Sequence, residues 1–171
     1  MMLNRILFLL ISSAVVSSAE LAKPLSKVER EIECLALNIY FEARCEPQHG
    51  QFAVAAVTIN RVKSAKFPNS VCSVVWQRRQ FSWTHDGKSD RPKDKKAWLQ
   101  AKELANLVYS KYLHFQEKSN GAWDINEGAL HYYSVSIDQP YWAKQKVASV
   151  SIGRHTFVNM YKNRSDVFIN P

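Results

Sequence analysis

The stretch "VEREIECLALNIYFEARCEPQHG", residues 28–50, decides the fold class. Its apolar positions Val28, Ile32, Leu35, Ala36, Ile39, Tyr40 and Ala43 recur at helical spacing, which predicts a helix with one apolar stripe. Pro47 pushes Glu46 out of the helical region, so the helix should end between Ala43 and Cys45. Glu42 breaks the pattern. It lies seven residues past Leu35, within about 20° of it around the helix axis, so a carboxylate sits on the apolar stripe near the C-terminus. Glu29, Glu31 and Glu33 come early and mostly off the stripe, where acids are ordinary and favourable.

Burial and the negative end of a helix dipole both raise a carboxyl pKa. A glutamate so placed stays protonated closer to neutral pH, as a general acid requires. The alternative from position alone is a structural glutamate, paired with an arginine or bonded to backbone. Glu46 would share a face with Glu42 in an unbroken helix, giving the carboxylate pair of a glycosidase. Pro47 disrupts that geometry, and Glu46 reads as a structural group tying down the turn.

Working outward, "GQFAVAAVTINRVKSA" (50–65) is apolar on nearly every side and reads as a buried helix, with Arg61 and Lys63 at its C-terminal end. "FPNSVCSVVWQ" (67–77) reads as a turn and a short helix capped by Asn69 or Ser70. "RRQFSWTHDGKSDRPKD" (78–94) reads as a long surface loop. Ala97, Trp98, Ala101, Leu104, Ala105, Val108 and Tyr112 form the stripe of a further helix. Gly121 and Gly128 interrupt the next section. "ALHYYSV", "ASVSI" and "TFVNMY" read as strands, the last two as a hairpin around Gly153. With 171 residues, 46% of them hydrophobic, the chain has enough apolar content for one core and is not disordered. The sum is a single, mainly helical α+β domain with a small antiparallel sheet late in the chain.

Residues 1–19 carry Arg5, an apolar run and then small residues, with Ser17 and Ala19 fitting a cleavage site. They read as a secretory signal peptide, leaving residues 20–171 as the mature domain and no stable membrane anchor. The formal net charge of +8 suits anionic partners such as cell-wall polymers, lipid surfaces or nucleic acid. Three cysteines, Cys34, Cys45 and Cys72, permit one disulfide in an oxidising compartment and leave one thiol over. No pair of cysteines has zinc-site spacing and no two histidines form an HxxxH pair, so neither a metal nor a cofactor is expected.

Phe81 and Trp83 sit in a polar stretch where packing alone does not require them. With Gln80, Ser82 and His131 as hydrogen-bonding neighbours, and Tyr132, Tyr133, Tyr141 and Trp142 around the first strand, they suggest a carbohydrate cleft. Alternation puts one of Tyr132 and Tyr133 inward and the other outward. A rival centre would pair Cys45 with His49, His131 or His155 as in a cysteine peptidase.

"CLALNIYFEARCEPQHGQFAVAAVTINRVKSAKFPNSVC", "QFSWTHDG", "PKDKKAW", "GALHYY" and "IGRHTF" together resemble the SleB-like cell-wall hydrolase family, of the spore-cortex-lytic-enzyme type, and in its motif order. The resemblance implies a lysozyme-like fold and cleavage of the peptidoglycan glycan strand between N-acetylmuramic acid and N-acetylglucosamine, by a muramidase or a lytic transglycosylase. It places the catalytic glutamate at Glu42, in "YFEARCE". Gln80, Phe81, Ser82, Trp83, His131 and Tyr133 are then the expected substrate-binding residues. Cys34 and Cys72 occupy positions where exported relatives often carry cysteine and are expected to form the disulfide. Cys45 replaces a family glycine; if that glycine needs positive φ, cysteine is strained there. The expectation is an exported, monomeric enzyme of the periplasm, cell wall or exterior, acting on peptidoglycan rather than nucleic acid. A hydrolase would commonly use a second carboxylate, and Asp86 and Asp124 are the candidates, each also a natural turn residue. The competing functions are a cysteine-dependent wall peptidase and an inactive basic wall-binding module.

Overall fold

The computed structural model describes residues 24–117, 126, 128–144 and 148–159. The leader segment, Gly121 and Asp124 lie outside the described residues. Helix α1 spans Lys27–Ala43, as its apolar period predicts. A capping box opens it: the Ser26 hydroxyl accepts from the Glu29 amide, and the Glu29 carboxylate accepts from the Ser26 amide, so two orphan N–H groups are satisfied reciprocally. Helix α2, Gln48–Lys63, is buried along most of its length, from Ala53 to Ile59. Ser70 caps the short α3, Val71–Val75, and α4 spans Lys95–Glu117. Helix α1 packs against α2, α3 and α4, with Leu35, Ile39, Ile59, Val74 and Val108 among the fully buried side chains at the junction.

Glu31 departs from the expectation of an ordinary early acid. It is buried, and its Oε2 accepts from the Val71 amide at 2.5 Å and the Cys72 amide at 3.4 Å. It therefore caps α3 from another helix, where free N–H groups and the dipole favour a carboxylate. A Cys34–Cys72 disulfide joins α1 to α3 at the same corner, and Cys45 is free and exposed.

Late in the chain β1 (His131–Ser134), β2 (Ala148–Ile152) and β3 (His155–Asn159) form an antiparallel sheet in the order β1-β3-β2. Gly153, at φ +60°, turns the β2–β3 hairpin. An added Cβ there would lie 2.4 Å from a Glu46 oxygen, so the close approach of the chain to that carboxylate also demands glycine. The neighbouring Arg154 bonds Glu46 through both its backbone N–H and its side-chain Nε, each at 2.8 Å, and its Nη2 donates to the Cys45 carbonyl at 2.9 Å. Glu46 is thus the group that fastens the turn after α1, and it fastens that turn to the sheet.

The segment at 78–94 is not simply a surface loop. Phe81 and Trp83 are 3% and 6% exposed and belong to the main core. Asn38, fully buried on α1, supplies the reason. Its amide donates to Thr58 Oγ1 at 3.1 Å, and its Oδ1 accepts from the Trp83 indole N–H at 3.2 Å. A buried amide is costly unless both ends are bonded, and Trp83 provides the partner from the loop. Its ring also stacks on Phe41, with centroids 4.7 Å apart.

Candidate active site

Glu42 occupies the last turn of α1, on the side that faces the sheet. Strand β1 brings Tyr132 to it: the phenolic O–H donates to Glu42 Oε2 at 2.8 Å. The register Tyr132↔Phe157 turns Tyr132 inward, where its ring meets those of Phe157 and His155. Tyr133 faces away and packs on Trp142.

Arg61 completes the back of the site. It is 5% exposed, not a surface cation at a helix end. Its Nε donates to the Leu130 carbonyl at 2.8 Å, immediately before β1, and its guanidinium lies 5.2 Å from the centroids of both Phe67 and Phe81. The adjacent Asn60 donates to the Ala129 carbonyl at 3.2 Å. Consecutive residues of α2 thus hold the entry to the strand that delivers Tyr132.

Burial raises the Glu42 pKa above its ordinary range, and the Tyr132 hydrogen bond and the Arg61 charge pull it partly back. The net direction favours the protonated acid. Tyr132 itself is half-buried, and the desolvation of its hydroxyl beside the Glu42 carboxyl holds it well above the usual tyrosine range, so it stays neutral. Burial and the Arg61 charge push His131 down to about 4. One carboxyl oxygen is engaged by Tyr132, which leaves Oε1 to carry a transferable proton.

A cleft of about 310 Å³ opens on Glu42 and is lined also by Arg61, Arg79, Gln80, Phe81, Ser82, His85 and Tyr132. Glu42 is its only carboxylate among the described residues. Arg79 stands at φ 65°, the one non-glycine residue in the left-handed region among those described, a conformation that costs roughly 1–2 kcal/mol. Cys45 therefore shows no such strain in place of the family glycine.

The sequence-derived site divides accordingly. Gln80, Phe81 and Ser82 line the cleft with Glu42, and Trp83 lines an adjoining cavity. His131 and Tyr133 line neither; both pack against Trp142 on the other side of β1. Asp86 is turned to Lys88, accepting from its amide at 2.8 Å and lying 3.7 Å from its ammonium. Cys45 borders neither space, and no histidine bonds its thiol among the described residues. Sequence reasoning missed Arg61, Arg79 and His85 as cleft residues, and it named Tyr132 among the cleft aromatics without its bond to Glu42. Arg61, a charge inside an otherwise apolar helix, was the available signal.

Comparison with known proteins bears on this geometry. The family model described as Cell Wall Hydrolase matches residues 45–158. The spore cortex-lytic enzyme of Oceanobacillus iheyensis is 33% identical over 129 residues, covering 75% of this chain and 41% of that protein. That of Bacillus subtilis is 34% identical over 127 residues, covering 74% and 37%. The chain thus spans about two fifths of the length of these curated relatives. Among solved structures, the catalytic domain of the Bacillus cereus SleB protein superposes with a TM-score of 0.56 at 30% identity, over 80% of this chain and 94% of that one. The catalytic domain of the germination-specific lytic transglycosylase SleB from Bacillus anthracis gives 0.55 at 30%, over 80% and 98%. The mainly helical fold with its late three-stranded sheet is therefore that of the SleB catalytic domain, and the chain belongs to the cell wall hydrolase family.

Proposed function

We propose that this chain cleaves the glycan strand of peptidoglycan between N-acetylmuramic acid and N-acetylglucosamine, with Glu42 as the acid. The observation that carries the reading is a carboxyl held in a polar cleft, desolvated, bonded on one oxygen by Tyr132 and raised in pKa. Protonated Glu42 gives its proton to the glycosidic oxygen as the muramyl C1–O bond breaks. The carboxylate so formed is stabilised by the Tyr132 hydroxyl and the Arg61 charge. It then takes the proton of the muramyl C6 hydroxyl while that oxygen closes on C1, leaving a 1,6-anhydro ring. The absence of a second carboxylate from the described lining of the cleft favours this transglycosylase course over hydrolysis, which commonly positions water with another acid. The relatives' names, a spore cortex-lytic enzyme and a lytic transglycosylase, agree with it. Residues 1–19 would direct export to the wall; among the described residues no helix is long and apolar enough to cross a membrane.

Glu42→Gln keeps the side chain's size and removes its proton. Turnover on purified peptidoglycan should fall by about 10²–10⁴-fold while the fold survives. Glu46→Gln should retain activity at temperatures where it stays folded. Mass spectrometry of the digest should show anhydromuropeptides. Wild-type turnover by a folded Glu42→Gln chain would end the assignment, reducing ends would indicate hydrolysis, and free peptides would favour a peptidase.

A further inference from the structure

A larger cavity, about 650 Å³, adjoins the Glu42 cleft, and neither Glu42 nor Tyr132 lines it. Ser82 lines both spaces. Phe41, next to Glu42 on α1, stacks on Trp83 in the wall of the larger one. Its remaining lining is dense in charge, with four basic side chains against three aspartates.

The segment 86–94 supplies most of these charges; two bonds fold it on itself and Tyr40 ties it to α1. Asp86 accepts from the Lys88 amide, Ser89 Oγ accepts from the Arg91 amide at 3.3 Å, and the Tyr40 hydroxyl accepts from the Lys93 and Asp94 amides at 3.0 Å each. Asp86 is committed to Lys88, and Asp94 accepts from the Ala97 amide at the start of α4. Among the described residues neither Arg91 nor Lys93 forms an ion pair. The loop therefore presents two cations without an ion pair, and Asp90, on a ledge tied to α1 through Tyr40 beside the Glu42 cleft.

We infer that this cavity receives the stem peptide of peptidoglycan, so that the enzyme discriminates peptide-bearing from peptide-free strands. The inference rests on the glycan-strand reading. The stem is attached through the lactyl ether of the muramic ring whose C1–O bond is broken, so it leaves the strand within one sugar of Glu42. It carries carboxylates and, where its third residue is a diamino acid, an ammonium group. Arg91 and Lys93 match the former and Asp90 the latter. A peptide-free strand keeps only the lactyl carboxylate on the muramic ring itself and lacks the stem's own carboxylates and ammonium group that the ledge would meet.

The test compares kcat/KM on glycan strands before and after an amidase has removed the stems. The intact chain should favour peptide-bearing strands by about three- to tenfold, the size of one or two exposed charge contacts. The double variant Arg91→Ala, Lys93→Ala should lose that preference and keep the wild-type rate on bare strands. Calorimetry with a folded Glu42→Gln chain reads binding apart from turnover: a disaccharide-peptide should bind more tightly than the bare disaccharide. Equal wild-type rates on the two strands, or a double variant equally impaired on both, would overturn the inference while leaving glycan cleavage standing. A wild type that cleaves neither strand would remove the underlying reading and this one with it.

Discussion

Replacing Tyr132 by phenylalanine removes one oxygen and with it the hydrogen bond to Glu42 Oε2 at 2.8 Å. The ring contacts to His155 and Phe157 stay available. The lost bond lowers the Glu42 pKa in the wild type, so its removal raises that pKa further. A hydrogen bond to a charged group contributes about 1.5–3 kcal/mol, and one pKa unit corresponds to about 1.4 kcal/mol. Because the neutral acid also accepts from Tyr132, only part of the difference appears, and we predict a rise of about one unit. The alkaline limb of kcat/KM on purified peptidoglycan should move to higher pH by that amount. Stability must follow the same shift. A carboxyl with a raised folded pKa gives its full stability below the unfolded value of about 4.3, and loses it as pH climbs through the folded pKa. The variant extends that loss, so its stability deficit against wild type should widen by about 1.4 kcal/mol as pH rises from below the unfolded value of about 4.3 through the raised folded pKa. Tyr132 stays neutral over this range, and His131, lowered to about 4, titrates near its lower edge in both chains. An unmoved or acid-shifted limb, or a deficit independent of pH, would refute the role given to Tyr132.

Trp83→Ala should lower the melting temperature strongly, with a loss of about 3–5 kcal/mol from cavity formation and an unpaired Asn38 Oδ1 besides; denaturant unfolding measures it, and a melting temperature near wild type would return Trp83 to the surface. Cys34→Ser should cost about 3–4 kcal/mol, because it opens a loop with a sequence separation of 38 residues, and non-reducing peptide mapping of the wild type should recover Cys34 with Cys72. Hydrogen bonds from Arg154 hold the Glu46 carboxyl below its usual range despite burial, so its stability is present above the unfolded pKa and lost as pH falls through the folded one. Glu46→Gln should therefore reduce the melting temperature at neutral pH and progressively less in acid; a pH-independent change would contradict the latch.

The resemblance carried in the motifs matches the family and fold found by comparison. What the periodicity alone missed is instructive. Glu31 reads as a surface acid because its partners, the amides of Val71 and Cys72, lie 40 and 41 residues away. Phe81 and Trp83 read as loop aromatics because their neighbours in sequence are polar, while their neighbours in space are Asn38, Phe41 and Arg61.

The sequence by itself determined α1, its end before Pro47 and the unfavourable placing of Glu42 on its apolar stripe. Each of these depends on spacing within a few helical turns or on the fixed φ of proline, and such information is local. The tertiary structure decided what Glu42 can do. Its hydrogen-bond donor lies 90 residues away on β1, and strand alternation assigns Tyr132 and Tyr133 to opposite faces without saying which is inward. That choice follows from the pairing of Tyr132 with Phe157 and from the Asn60 and Arg61 contacts that anchor the strand's entry. A one-residue slip in that register would present the other face, and only the packed core fixes it.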